Sequence, residues 1–132
     1  MPNSNKLICE HLLADDVTAK VYDVTSHYFG GYFHVCLLVQ ADIALNRAWF
    51  ETEVAFANAV RKLGASVRFE RKLEKMAVPD AELAEVRQAL LDNFSANVLP
   101  YLSGPDFPRR FVLTEYNRAV RKQAPARSFR DA

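Results

Sequence analysis

The chain has 132 residues and a mass of 15.0 kDa, with half of its residues hydrophobic and a quarter charged. These values are typical of one globular domain and exclude a chain that is disordered over most of its length. No stretch reaches the roughly 20 apolar residues of a transmembrane helix. The net charge is +1, but residues 109–132 hold seven basic groups against two acidic ones, a net of +5.

The two cysteines, Cys9 and Cys36, both lie in apolar segments. No signal peptide is recognisable before them, because the apolar run at residues 7–13 is interrupted by Glu10 and His11 and no cleavage site follows. We therefore expect a cytoplasmic protein with reduced thiols.

The N-terminal part of the chain reads as strands. Residues 1–5 are polar and are expected to be loose. Residues 6–13 fit a strand or a short helix, and we favour a strand. Residues 17–25 alternate apolar and polar side chains, which predicts a half-buried strand. Gly30 and Gly31 can adopt the positive φ angles of a hairpin reversal.

The segment after this reversal, residues 32–43, has an apolar residue at every odd position. That alternation predicts a strand whose odd face lies in the core. A solvent-facing even side would carry more Lys, Glu and Thr, so we expect this side to be partly covered. Its residues are Tyr32, His34, Cys36, Leu38, Gln40 and Asp42.

Helical spacing begins in the middle of the chain. Asn46 is expected to cap a helix over residues 47–63. Residues 66–74 alternate again, as in a strand with one solvated face. Asp80 can cap a long helix that Pro100 or residues 103–105 would end.

Asp106 could cap a last short helix ending at residue 121. The order of strands and helices then predicts an α+β fold: an antiparallel sheet of three to four strands, hairpin-rich in the N-terminal half. Two longer helices and the short C-terminal helix would cover one face. We expect one domain over residues 6–121, followed by a flexible basic tail at residues 122–132.

Residues 17–43 combine an alternating strand, an Asp-x-Thr-Ser turn, a glycine reversal and a second alternating strand. This run, 27 of the 132 residues, resembles the opening of a group of short bacterial proteins of unknown function. The resemblance implies no activity.

Metal ligands or a nucleophile would have to come from the few cysteines and histidines. No Cys-x-x-Cys or His-x-x-x-His spacing is present, although His34 and Cys36 share one strand face and Cys9 and His11 share another. Cys36 with His34 as base would also need a pocket and a third group to orient the imidazole. We favour both cysteines as small buried hydrophobes and predict no metal, cofactor or catalytic residue.

The basic C-terminal region could attract polyanions, because clustered cations raise the local potential. It lacks a recognised nucleic-acid-binding motif, so we favour a solvated helix face and a mobile tail. The cationic residues are Arg109, Arg110, Arg118, Arg121, Lys122, Arg127 and Arg130.

Two hypotheses of function follow. The first is a non-enzymatic binding or assembly module that forms a homodimer through the second sheet face, because neutral and aromatic side chains favour interface cores. Its interface candidates are Tyr22, Tyr32, His34, Cys36 and Leu38. The alternative is a small-ligand-binding domain or small enzyme with a pocket near a polar turn. The candidate residues of that turn are Asp23, Ser26, His27 and Tyr28.

Overall fold

The strands of the chain form a single antiparallel sheet. A computed structural model describes residues 6–123, so residues 1–5 and most of the predicted tail lie outside the described part. The five strands are β1 (Lys6–Leu12), β2 (Thr18–Asp23), β3 (Ser26–Phe29), β4 (Tyr32–Ala44) and β5 (Ser66–Pro79). The predicted α+β class and the strand assignment of the first segment are confirmed.

Strand β4 lies at the centre of the sheet and has neighbours on both edges. Along one edge β2 pairs with residues 37–41 and β3 with residues 32–34; along the other edge β5 pairs with nearly the whole of β4. β1 adds to the outer edge of β2. β2 and β3 are therefore two parts of one interrupted hairpin arm, and β3 is a strand that the sequence pattern did not predict.

The odd-numbered residues of β4 face the helices, as their alternation predicts. They join the apolar residues of β2 in a core that the helices cover from one side. Burial of these side chains supplies the main driving force for folding. The fully or almost fully buried members include Ala19, Val21, Leu37, Val39, Ala41, Ile43, Phe94, Leu102, Phe107 and Val112.

The helices are α1 (Glu53–Leu63), α2 (Leu83–Asn93), α3 (Leu99–Leu102) and α4 (Phe107–Gln123). The expected helix over residues 47–63 begins six residues later than predicted. Asn46 caps only a 3₁₀ turn at Arg47–Trp49, and Thr52 caps α1 by accepting a hydrogen bond from Ala55 N at 3.0 Å. The segment contains two capping residues, and this explains the difference. The side-chain oxygen of each one accepts a hydrogen bond from an otherwise unpaired backbone amide of its own turn.

The long helix expected after Asp80 passes Pro100 and ends at Leu102, just before residues 103–105, the second of its two predicted stops. α2 passes through a π turn at Phe94–Val98 into α3, and Pro100 lies within α3. A proline lacks the amide proton of a regular α-helix and its ring crowds the carbonyl four residues earlier, which fits a local widening just before it. The last helix, expected to be short, spans 17 residues and includes Lys122 and Gln123.

No helix within residues 6–123 combines the length and apolar character needed to cross a membrane.

Candidate functional site

The sheet face opposite the helices carries the even-numbered residues of β4, and we call it the open face. Cross-strand pairing places Tyr22 of β2 opposite Leu38 on this face. β5 contributes a charged border next to the same strand. The border residues are Arg68, Glu70, Lys72 and Glu74.

One end of the open face is apolar and exposed. A bulge in β3 makes Tyr28 and Phe29 both oppose Tyr32. A second bulge, in β5, places Met76 opposite His34, the next residue of β4 on the same face. The exposed fractions of the side chains of Tyr28, Phe29, Tyr32 and Met76 lie between 46% and 70%. We call these four residues the hairpin patch. Exposed apolar residues that cluster in this way are typical of interaction surfaces.

Three of the four residues of the hairpin patch, Tyr28, Phe29 and Tyr32, lie in an uncharged part of the chain. Residues 24–41 contain no Asp, Glu, Lys or Arg, in a sequence that is one quarter charged. Within residues 6–123, β3 is bonded to β4 alone, so its other edge has no strand partner there. An uncharged strand edge lacks the lysines that commonly protect edges from pairing with another chain.

All five predicted interface residues lie on the open face, but they differ in exposure. Tyr32 belongs to the hairpin patch. Tyr22, His34 and Leu38 are half-buried within the chain, and Cys36 is 2% exposed. A partner can therefore contact Tyr32 most fully, while Cys36 offers almost no surface.

A cluster of three polar side chains lies next to the hairpin patch. His34 and Cys36 lie two residues apart on β4, and Glu74 of β5 is the cross-strand partner of Cys36. His34 Nε2 donates to Glu74 Oε1 at 2.7 Å. Burial raises the pKa of the Cys36 thiol, and the nearby Glu74 carboxylate adds to this rise. A thiol held in its neutral form is a poor nucleophile, and the absence of a catalytic residue stays a prediction.

The polar turn predicted as a ligand site makes hydrogen bonds and an ion pair within the chain. Asp23 Oδ1 accepts from Thr25 N at 3.0 Å, and its Oδ2 lies 2.8 Å from Arg87 Nε of α2 in an ion pair. His27 Nε2 donates to Gly30 O at 2.6 Å. Ser26 and Tyr28 are exposed along β3. The ligand-binding role of these four residues stays a prediction.

A polar groove of about 470 Å³ lies elsewhere on the open face. Within it, Arg68 donates to both carboxylate oxygens of Asp42, at 2.8 and 3.1 Å. This hydrogen bonding holds the pKa of Asp42 below its usual value. The other residues of the groove are Glu10, Asp16, Thr18, Lys20, Tyr22 and Gln40.

The second pair of possible metal ligands, Cys9 and His11, does not meet Cys36. Cys9 packs against the core, where burial raises the pKa of its thiol. His11 lies against Phe94, with ring centroids 5.5 Å apart. The third member of the cluster around Cys36 is Glu74, which the sequence interpretation missed.

The basic residues of the C-terminal region are spread along α4. Arg109, Arg110, Arg118 and Arg121 are exposed, and Arg118 pairs with Glu115 at 2.8 Å. Arg127 and Arg130 lie outside the described residues. The described arginines follow a solvated helix face.

Comparisons with protein-family models, with curated proteins and with solved structures found none that matches this chain.

Proposed function

We propose that the protein is a non-enzymatic assembly module that forms a homodimer through the hairpin patch and the adjoining open face. The observation that carries this proposal is the coincidence of three properties in one place. The hairpin patch is apolar and exposed, three of its four residues lie in an uncharged segment, and it borders the edge of β3. Apolar side chains surrounded by a polar rim are the usual anatomy of an interface.

The partner we propose is a second copy of this chain. An antiparallel strand edge is complementary to itself, because two copies related by a twofold axis can exchange the same backbone bonds. β3 carries no Asp, Glu, Lys or Arg, so two copies approach without repulsion between like charges. The edge of β5 is less suited, since its exposed side chains include Arg71, Lys72 and Lys75.

The area that a stable dimer interface buries requires a surface larger than the hairpin patch alone. A stable interface buries about 800 Å² of each partner, which is about a tenth of the 8119 Å² that the described chain exposes. Four side chains do not supply that area. The interface therefore extends from the hairpin patch along β4 towards Leu38 and its neighbour Tyr22.

The other hypotheses have less support. The turn at Asp23 is occupied by its own hydrogen bonds, and Asp42 and Arg68 of the groove on the open face pair with each other. The aromatic side chains of α4, Phe107, Phe111 and Tyr116, are buried or half-buried against the core, whereas single-strand binders present exposed rings on which bases stack. We place the module in the cytoplasm, where the free thiols of Cys9 and Cys36 would remain reduced.

The experiment is light scattering on the wild type and on two variants that introduce the same charge. Phe29→Lys places an ammonium group in the hairpin patch, and Val54→Lys places one on α1, where Val54 is 79% exposed. We expect a dimeric wild type, a monomeric Phe29→Lys and a dimeric Val54→Lys, because burying an unpaired charge opposes association. A monomeric wild type, or equal behaviour of both variants, contradicts the proposal.

A further inference from the structure

Three side chains with different donor atoms converge on the open face. His34 and Cys36 point to the same side because successive side chains alternate along a strand. Glu74 joins them because β5 places it directly opposite Cys36. One imidazole nitrogen, the sulfur and one carboxylate oxygen all lie within 4.8 Å of one another. We propose that His34, Cys36 and Glu74 form a binding site for a divalent transition metal, with zinc as the best-fitting ion.

The donor set selects the class of metal. Thiolate and imidazole favour zinc and other transition metals over calcium and magnesium, which prefer oxygen ligands alone. A thiolate and a carboxylate together carry two negative charges, so a divalent ion is neutralised at the site. The metal takes the place of the thiol proton, and that proton leaves to solvent.

The spacing requires small side-chain movements and no change of strand pairing. Zinc bonds of about 2.0–2.3 Å in a tetrahedron set its ligand atoms roughly 3.3–3.8 Å apart. The distances among the three donor atoms, which now reach up to 4.8 Å, must shorten to this range. The 2.7 Å hydrogen bond between His34 and Glu74 must break. Both changes are rotations of the His34 and Glu74 side chains, whose exposed fractions are 27% and 46%.

Access to the site is one-sided. Cys36 lies at the bottom with almost no exposed surface, while His34 and Glu74 border solvent. Three protein ligands leave a fourth position, which faces solvent in the monomer, for water or another ligand, as in zinc sites that are not purely structural.

The site lies on the part of the open face that the proposed interface covers, but its ligands do not depend on a second copy. Each of its ligands comes from one chain, so a monomeric protein retains all three. A failure to dimerise therefore leaves this proposal intact, and a failure to bind metal leaves the homodimer intact.

The test is metal binding by the full chain, purified without a histidine tag and stripped of metal. Zn²⁺ is titrated against a chromophoric chelator, and Co²⁺ is added to a second sample for absorption spectroscopy. The ligand variants are His34→Gln, Cys36→Ser and Glu74→Gln. Matched controls replace residues of the same types outside the cluster: His27→Gln, Cys9→Ser and Glu70→Gln.

We expect one zinc ion per chain, with affinity at least about tenfold lower in each ligand variant and unchanged in each control. The Co²⁺ form of the wild type and of Cys9→Ser should show a thiolate-to-metal charge-transfer band. That band identifies Cys36 as a ligand even if Cys36→Ser fails to fold. The proposal is overturned if the wild type binds no zinc, if His34→Gln and Glu74→Gln bind it as tightly as the wild type, or if Cys9→Ser abolishes binding.

Discussion

Leu37 lies at the centre of β4 with no exposed surface. Its replacement by Ala should lower the free energy of unfolding by about 2–5 kcal/mol, because apolar contacts are lost and a cavity remains. Urea denaturation measures this change. Leu12→Ala is the matched control, since Leu12 on β1 is strongly exposed and should change stability by less than about 0.5 kcal/mol. Equal effects of the two substitutions would show that β4 does not face the core with its odd side.

The ion pair between Asp42 and Arg68 predicts a pH-dependent contribution to stability. The folded pKa of Asp42 lies below its ordinary value of 3.8, so the charged pair stabilises the fold above that value. The contribution is lost as the pH falls through the folded pKa, where the carboxylate becomes protonated. Asp42→Asn should therefore lower the free energy of unfolding at about pH 7 and have a smaller effect at about pH 3.

The control for this prediction is the double variant Asp42→Asn with Arg68→Gln. Once Asp42 has lost its charge, removing Arg68 should add little. A difference between wild type and Asp42→Asn that is the same at both pH values would contradict the role given to the pair.

At the scale of elements, the structure and the sequence interpretation differ in where α1 begins, at Glu53 and at residue 47 respectively. Thr52 accepts a hydrogen bond from Ala55 N as the cap of α1. Thr52→Ala should lower the free energy of unfolding by about 0.5–2 kcal/mol, as the loss of a capping oxygen does. If the helix began at residue 47, Thr52 would lie in its interior and the same change would be neutral or stabilising.

Thr114→Ala is the control for the capping prediction. Thr114 is exposed within α4, where alanine has the higher helix propensity. Thermal or chemical denaturation of both variants gives the comparison. Opposite signs for the two substitutions support the observed start of α1, and equal signs argue against it.

The elements themselves could be predicted to a large extent because their signals are local. Alternation along residues 32–43 and the glycine pair before it identify β4 and its hairpin without any knowledge of the fold. β3 was missed because its four residues carry no alternation that distinguishes them from a turn. The π turn before Pro100 was missed because a proline inside a helical pattern is usually interpreted as a stop.

The candidate site was less predictable because it depends on strand register. His34 and Glu74 are 40 residues apart, and nothing local indicates that β5 pairs with β4 so as to place Glu74 beside Cys36. The sequence therefore supplied His34 and Cys36 as neighbours but not the group that joins them. The hairpin patch also depends on strand register, since two bulges bring Met76, Tyr28 and Phe29 to one end of the sheet.

At the scale of the whole molecule, charge is separated from apolar surface. Residues 24–41 are uncharged, whereas β5 on one side and α4 on the other carry most of the exposed cations of the described chain. This distribution keeps one end of the sheet free of repulsion while the remaining surface stays solvated. It is the basis for assigning self-association to the hairpin patch rather than to a helix face.

The most direct measurement of that assignment is backbone hydrogen exchange of β3 as a function of protein concentration. If two copies pair along this edge, exchange of residues 26–29 should slow as the dimer forms between about 1 and 100 μM, the range of a micromolar dissociation constant. Exchange in α1 should not change, and Phe29→Lys should remove the concentration dependence in β3. Exchange of residues 26–29 that is equally fast at every concentration would contradict the account.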